Sequence, residues 1–172
     1  MSETLLKEPI AKIIKESKGR VIFTSFASNL GRLKIIAEAG EKSGRSIAVF
    51  GRAMNNMLRK ALETSIFTDF PSLIDSRKAH MVPRENLLVI ATGSQGEIRA
   101  ASAQLSRGKY MGLELEDGDT FVFSSKTIPG NEISVNRVIN NLSDKGVVVK
   151  YSDDREFPVS YTHLTLPTIY SV

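Results

Sequence analysis

The 172-residue chain has no cysteine and only two histidines, His80 and His163. Without cysteine there is no disulfide, no thiol nucleophile and no cysteine metal site, a composition that suits a cytoplasmic protein. Neither histidine stands at a metal-ligand spacing such as H-E-x-x-H. His80 lies in an irregular stretch beside Met81 and Pro83 and reads as a surface or partly packed loop residue. No apolar run approaches the roughly 18 residues of a membrane span. Met1 to Arg20 is charged throughout and does not read as a secretory signal. No Ser-His-Asp set assembles. The run Gly93-Ser94-Gln95-Gly96 is not a nucleophile elbow, because Gln95 is its central residue; nor is it a P-loop, because no Gly-Lys-Ser/Thr follows. Asp117 and Asp119 flank Gly118 as an Asp-Gly turn, and Asp153-Asp154 reads as a solvated loop.

What the chain does contain is a regular alternation of apolar runs and amphipathic stretches. Its length and its 41% hydrophobic content suit one domain with a real core. A net charge of +4 and a pI near 9.4 permit a polyanionic partner without requiring one. Glu8-Pro9 ahead of Ile10, Ile13 and Ile14 marks a first helix. VIFTSF (21–26) reads as a strand, after which Ser28 or Asn29 caps a helix with Leu30, Leu33, Ile36 and Ala37 on one face. SIAVF (46–50) is a second strand, and Gly51-Arg52 turns into a helix carrying Met54, Met57, Leu58 and Ala61. Residues 65–86 lack periodicity and read as loop with one helical turn. LLVIA (87–91) is the third strand, and a helix to about Ser106 follows its loop. A turn-rich connection with one short strand (109–119) leads to the fourth strand at 120–124. The next helix carries Val135, Val138, Ile139 and Leu142 on one face, and GVVVKY (146–151) is the fifth strand.

This order predicts a three-layer α/β domain, with a mainly parallel sheet of about five strands and helices on both faces. Right-handed crossovers place all the strand-to-helix loops on one edge, where ligands of such sheets bind. The loops are SFASNLGR (25–32), GRAMN (51–55), TGSQGE (92–97) and SSKTIPGNE (124–132). In the third, Ser94 and Glu97 have the spacing of a capping box, while Gly93 and Gly96 allow close backbone approach to a ligand. Amides at such a helix start hold anions. Arg32 and Arg52 add forked cations suited to phosphate, although Arg52 is equally able to pair with a carboxylate. Phosphate contact is thus easier to argue than bond cleavage.

The segments GRVIFTSFASNLGR, GRSIAVFGRAM, LLVIATGSQGE and FSSKTIPGNE, in this order, resemble the β-CASP domain of ribonuclease J over roughly Ser2 to Phe157. The resemblance implies a zinc-dependent nuclease that cuts RNA internally and degrades it from the 5′ end, with the β-CASP domain inserted into a metallo-β-lactamase domain and RNA in the cleft between them. By the same resemblance Ser28 and Asn29 form the substrate-contacting turn, supported by Arg32. Gly93, Ser94 and Gln95, with Gly96 and Glu97, form a wall of that cleft, and Pro129 to Glu132 match the last strand-to-helix junction. Ser28, Ser94 and Asn131 each have a plainer reading as helix caps.

Two positions depart from the family pattern. Ile98 stands where the family usually has proline. After REFPV the family continues into H-x-S-G-H, whereas here Val159 is followed by SYTHLTLPTIYSV. The expected organisation is therefore a β-CASP domain over 1–157, incomplete at its C-terminal side, and a non-native tail over 158–172 that contains His163; a native terminal strand is the alternative. Met1-Ser2-Glu3 resembles an internal stretch of the family. The resemblance thus implies that zinc belongs to the parent enzyme and that this fragment binds none. It also implies single-stranded RNA and the missing metallo-β-lactamase domain as partners, no membrane, and possible homo-oligomers of the parent. The fragment alone is expected to lack nuclease activity. The competing expectations are a non-catalytic α/β module binding a mononucleotide or a phosphorylated small molecule, and an interaction domain whose glycine turns are only structural.

Overall fold

Short runs of β-branched and aromatic residues form the strands because both faces of each can be buried. The computed structural model describes residues 3–151. In chain order these residues form α1 (Lys7–Glu16), β1 (Val21–Thr24), α2 (Leu30–Lys42), β2 (Ser46–Phe50), α3 (Arg52–Glu63), β3 (Leu87–Ala91), α4 (Ala101–Arg107), β4 (Thr120–Phe123), α5 (Glu132–Asp144) and β5 (Val148–Tyr151). All five strands are parallel, in the spatial order β2–β3–β1–β4–β5. The central strand pairs Val21 with Leu88 on one side and with Thr120 on the other.

Side chains alternate across a strand, so each strand feeds two cores. Val21, Phe23, Val49, Ile90 and Val122 pack with Ile10, Ile14, Leu33, Ile36, Met54 and Leu58 from α1, α2 and α3. Ile22, Val89, Phe121 and Phe123 pack with Leu105, Val135, Val138 and Leu142 from α4 and α5. The result is the expected three layers. The predicted apolar face of α5 is the buried one, residue for residue.

Some connections differ from the sequence reading. Residues 65–86 hold two 3-10 turns, Ser76–Met81 and Arg84–Asn86, and Leu73 bridges to Ile47 along the outer edge of β2. Asp75 starts the first of these turns, its carboxylate accepting from the Arg77 amide at 2.9 Å. The expected short strand in 109–119 is a single bridge between Tyr110 and Leu113. Asp119 is no mere turn residue. It is fully buried and accepts from the Arg20 amide (2.9 Å), the Arg20 guanidinium (2.9 Å) and the Arg84 guanidinium (2.8 Å). Its hydrogen bond holds the Arg84 guanidinium above the usual arginine value. Buried Arg45 donates to the carbonyls of Gly19, Leu87 and Ser17 at 2.8–2.9 Å. Burial pushes its guanidinium below the usual arginine value. The sequence readings of Asp153-Asp154, His163 and the tail 158–172 lie outside the described residues.

Candidate functional site

A parallel sheet brings the carboxyl ends of its strands to one edge, and here that edge carries all four predicted loops. The chain order reverses at the centre of the sheet. From β1 the chain runs to α2 on one face; from β3 it runs to α4 on the other. Such a reversal opens a crevice between the departing loops.

The loops are fastened to one another. Ser25 continues the ladder by donating to the Ala91 carbonyl at 3.2 Å, and the Ser124 amide donates to Thr24 at 3.3 Å. The guanidinium of Arg32, one turn into α2, donates to the Ser124 carbonyl. Gly51 lies so close to Thr92 that an added Cβ would stand 2.5 Å from the threonine hydroxyl oxygen. The fourth loop is joined to the third through Gln95. Its amide nitrogen donates to the Lys126 carbonyl at 3.0 Å, and its amide oxygen accepts from Ile128 N at 2.8 Å and Asn131 Nδ2 at 3.2 Å.

Asn29, not Ser28, caps α2, its side-chain oxygen accepting from the Arg32 amide at 3.0 Å. Ser28 is left exposed at the rim. The capping box at 94–97 does not form. One further turn, closed by the Ala100 amide on the Glu97 carbonyl at 3.0 Å, separates that loop from α4, which begins only at Ala101. Instead, the Thr92 hydroxyl accepts from the Ala101 amide at 3.3 Å and Ser102 Oγ donates to the Gly93 carbonyl at 2.8 Å. Glu97 turns back to accept from the Gln95 amide at 3.1 Å, and the Gly96 amide is taken by Gly93 at 3.2 Å. The two loop glycines approach protein, not open space. A Cβ at Gly93 would meet Ser102, and one at Gly96 would stand 2.5 Å from the Ser134 carbonyl carbon at the start of α5. Ser94 and Gln95 are buried in consequence.

Charge at the rim follows one pattern. Arg52, Arg99 and Lys126 are exposed, and none has an ion pair or side-chain hydrogen bond to a described residue. The rim carboxylates are engaged by amides of their own loops: Glu97 by Gln95, and Glu132 by Gly130 at 2.9 Å. A polyanion approaching this edge meets cations whose neighbouring acids are already hydrogen-bonded. A cleft of about 680 Å³ lies at the opposite edge, lined by Lys15, Lys18, Lys42, Arg45 and Glu85. There α1 and α2 end, and helix carboxyl ends carry the negative pole of their dipoles.

A sequence model of the beta-CASP domain of Ribonuclease J matches residues 18–142. The chain belongs to the ribonuclease J β-CASP family. Ribonuclease J of Sinorhizobium meliloti is 39% identical over 146 residues, which cover 85% of this chain and 26% of the relative. Ribonuclease J 1 of Streptococcus pyogenes is 42% identical over 149 residues, 86% of this chain and 27% of the relative. Ribonuclease J of Thermus thermophilus is 36% identical over 150 residues, with 87% and 26% covered. The chain thus spans about a quarter of the length of these relatives.

Within this β-CASP fold, the six residues singled out by sequence sit on the same edge. Ser28, Asn29 and Arg32 form one corner at the end of β1; Gly93, Ser94 and Gln95 form the corner after β3. Sequence reasoning did not single out Thr92, Ser124, Arg99 or Lys126. The only signal for the latter two was a charged residue within or beside a predicted rim loop. His80 is exposed, as expected of a loop histidine. No helix among the described residues is long and apolar enough to cross a membrane.

Proposed function

We propose that this ribonuclease J β-CASP chain supplies the RNA-gripping wall of a zinc-dependent ribonuclease acting in the cytoplasm in RNA processing and decay, both internally and from the 5′ end. In this reading Ser28 and Asn29 contact the backbone of single-stranded RNA, while Arg32 holds their turn against β4. Gly93, Ser94 and Gln95 form the wall behind it. The observation that carries the reading is the single rim on which the exposed Ser28 meets Arg52, Arg99 and Lys126, with the neighbouring acids engaged by amides. Contact of this kind is dominated by phosphate and largely independent of base identity.

Among the described residues no group of three or more His, Asp or Glu side chains is placed to hold a metal ion. Residues 3–151 therefore do not fit a zinc site, and no step of hydrolysis is assigned to them. We place the zinc in the metallo-β-lactamase portion of the parent protein, which is the proposed partner of this wall. The parent protein is further proposed to act without membrane attachment.

Titration of the 172-residue chain with end-labelled single-stranded RNA at several salt concentrations tests the reading. Each neutralised phosphate contributes about −0.7 to the slope of log affinity against log salt for single strands. Three rim cations, Arg52, Arg99 and Lys126, predict a slope of roughly −2. Affinity independent of salt, or tighter binding of a mononucleotide than of RNA, would refute the proposal.

A further inference from the structure

Gln95 is 5% exposed, too buried to serve as an open contact for a passing polynucleotide, yet its side-chain amide is fully directed at one neighbouring loop. Beyond Ser124, which is tied to Thr24 and Arg32, that loop (124–132) has few other ties. Ile128, Pro129 and Gly130 are exposed, and the turn closes on a single backbone bond from Asn131 N to the Ile128 carbonyl at 3.0 Å. Gln95 spans it on both sides of Thr127, accepting from the Ile128 amide and donating to the Lys126 carbonyl. A third bond, from Asn131 Nδ2, fixes the start of α5 to the same oxygen. Asn131 makes no side-chain capping bond to α5.

From this geometry we infer that Gln95 is a positioning residue: it fixes the backbone at Lys126 so that this cation is presented to the RNA phosphates at the rim. The inference rests on the RNA-binding reading above. Only an amide serves, because the clip needs one donor and one acceptor at the end of a two-methylene stem. Glutamate keeps the acceptor for Ile128 and Asn131 but sets an oxygen against the Lys126 carbonyl. Methionine keeps the approximate length and volume and loses all three bonds. The neighbouring Gly96 keeps the two loops close enough for the clip, since its Cα faces the Ser134 backbone with no room for a side chain.

The test is a double-mutant cycle in the full 172-residue chain, read with end-labelled single-stranded oligoadenylate. Lys126→Ala should flatten the salt slope by about 0.7, the value of one single-strand phosphate contact. Gln95→Met should flatten it equally, and the double variant should show no further change. Gln95→Glu should fall in the same class while leaving the Ile128 amide protected from hydrogen exchange; Gln95→Met should expose that amide. Additive effects of Gln95→Met and Lys126→Ala, with RNA binding intact in the parent chain, would overturn the positioning role and leave the RNA-binding reading standing. Absence of salt-dependent binding by the parent chain would instead remove both. If the substituted chains do not fold, the unsubstituted chain still decides: an Ile128 amide that exchanges at the rate of an open loop overturns the clip.

Discussion

At the scale of single residues, two positions carry sharp expectations. Gly96 has φ +75° and no room for a Cβ against the Ser134 backbone. Gly96→Ala should lose about 2 kcal/mol or more in urea unfolding, from backbone strain and displaced α5 together. Asp75 is governed by its side-chain bond to the Arg77 guanidinium and then by the Arg77 amide, which lower its carboxyl from the ordinary aspartate value to about 2. A depressed folded value means that the carboxylate favours the fold above about pH 4, and that this contribution disappears as pH falls toward 2. Carbon-detected NMR should find the Asp75 midpoint near 2, and Arg77→Ala should return it toward the ordinary carboxylate range. Residue-scale detail was where the sequence was least readable. The spacing of Ser94 and Glu97 fits a cap, but the chain makes one more turn before α4. The competing donors and acceptors, Thr92 and Ser102, lie outside the four-residue pattern. The bonds of Asp119 to Arg20 and Arg84 span 99 and 35 residues, beyond any local pattern.

At the scale of elements the sequence was far more readable, because periodicity reports burial directly. The faces of α1 and α5 and the apolar runs of all five strands follow from spacing alone. What spacing left open was which residue starts α2. The structure gives that role to Asn29, whose side-chain Oδ1 accepts from the Arg32 amide. Asn29→Ala should destabilise the chain by about 1 kcal/mol in thermal or urea unfolding. Ser28→Ala should leave stability nearly unchanged, since no described residue engages the Ser28 hydroxyl, and should weaken RNA binding. That contrast separates the neighbour that also holds the corner, Asn29, from the one that only contacts RNA.

At the scale of the whole molecule, the two edges of the sheet do different work. The amino edge is locked by buried ions: Asp119 between Arg20 and Arg84, and Arg45 among backbone carbonyls. Removing one partner of such a set leaves the other charge buried without compensation. Asp119→Ala should therefore lower unfolding stability by about 3 kcal/mol, and calorimetry should show one cooperative transition at a lower temperature. The carboxyl edge instead holds its cations in the open, where a ligand can reach them. That edge was legible from the alternation of strands and helices, and from the recurrence of polar loops after apolar runs. The strand order was not legible, because the central place of β1 depends on partners far along the chain.

That order has a consequence for synthesis. Neither β1 nor β2 neighbours the other; apart from the single Leu73 bridge to Ile47, each first meets a partner strand in β3, at Leu88 and Leu87 respectively. Nascent polypeptide leaving the ribosome thus carries two bare apolar strands until residue 87 and its successors emerge. Throughout that interval it depends on chaperones, or on speed, to escape self-association.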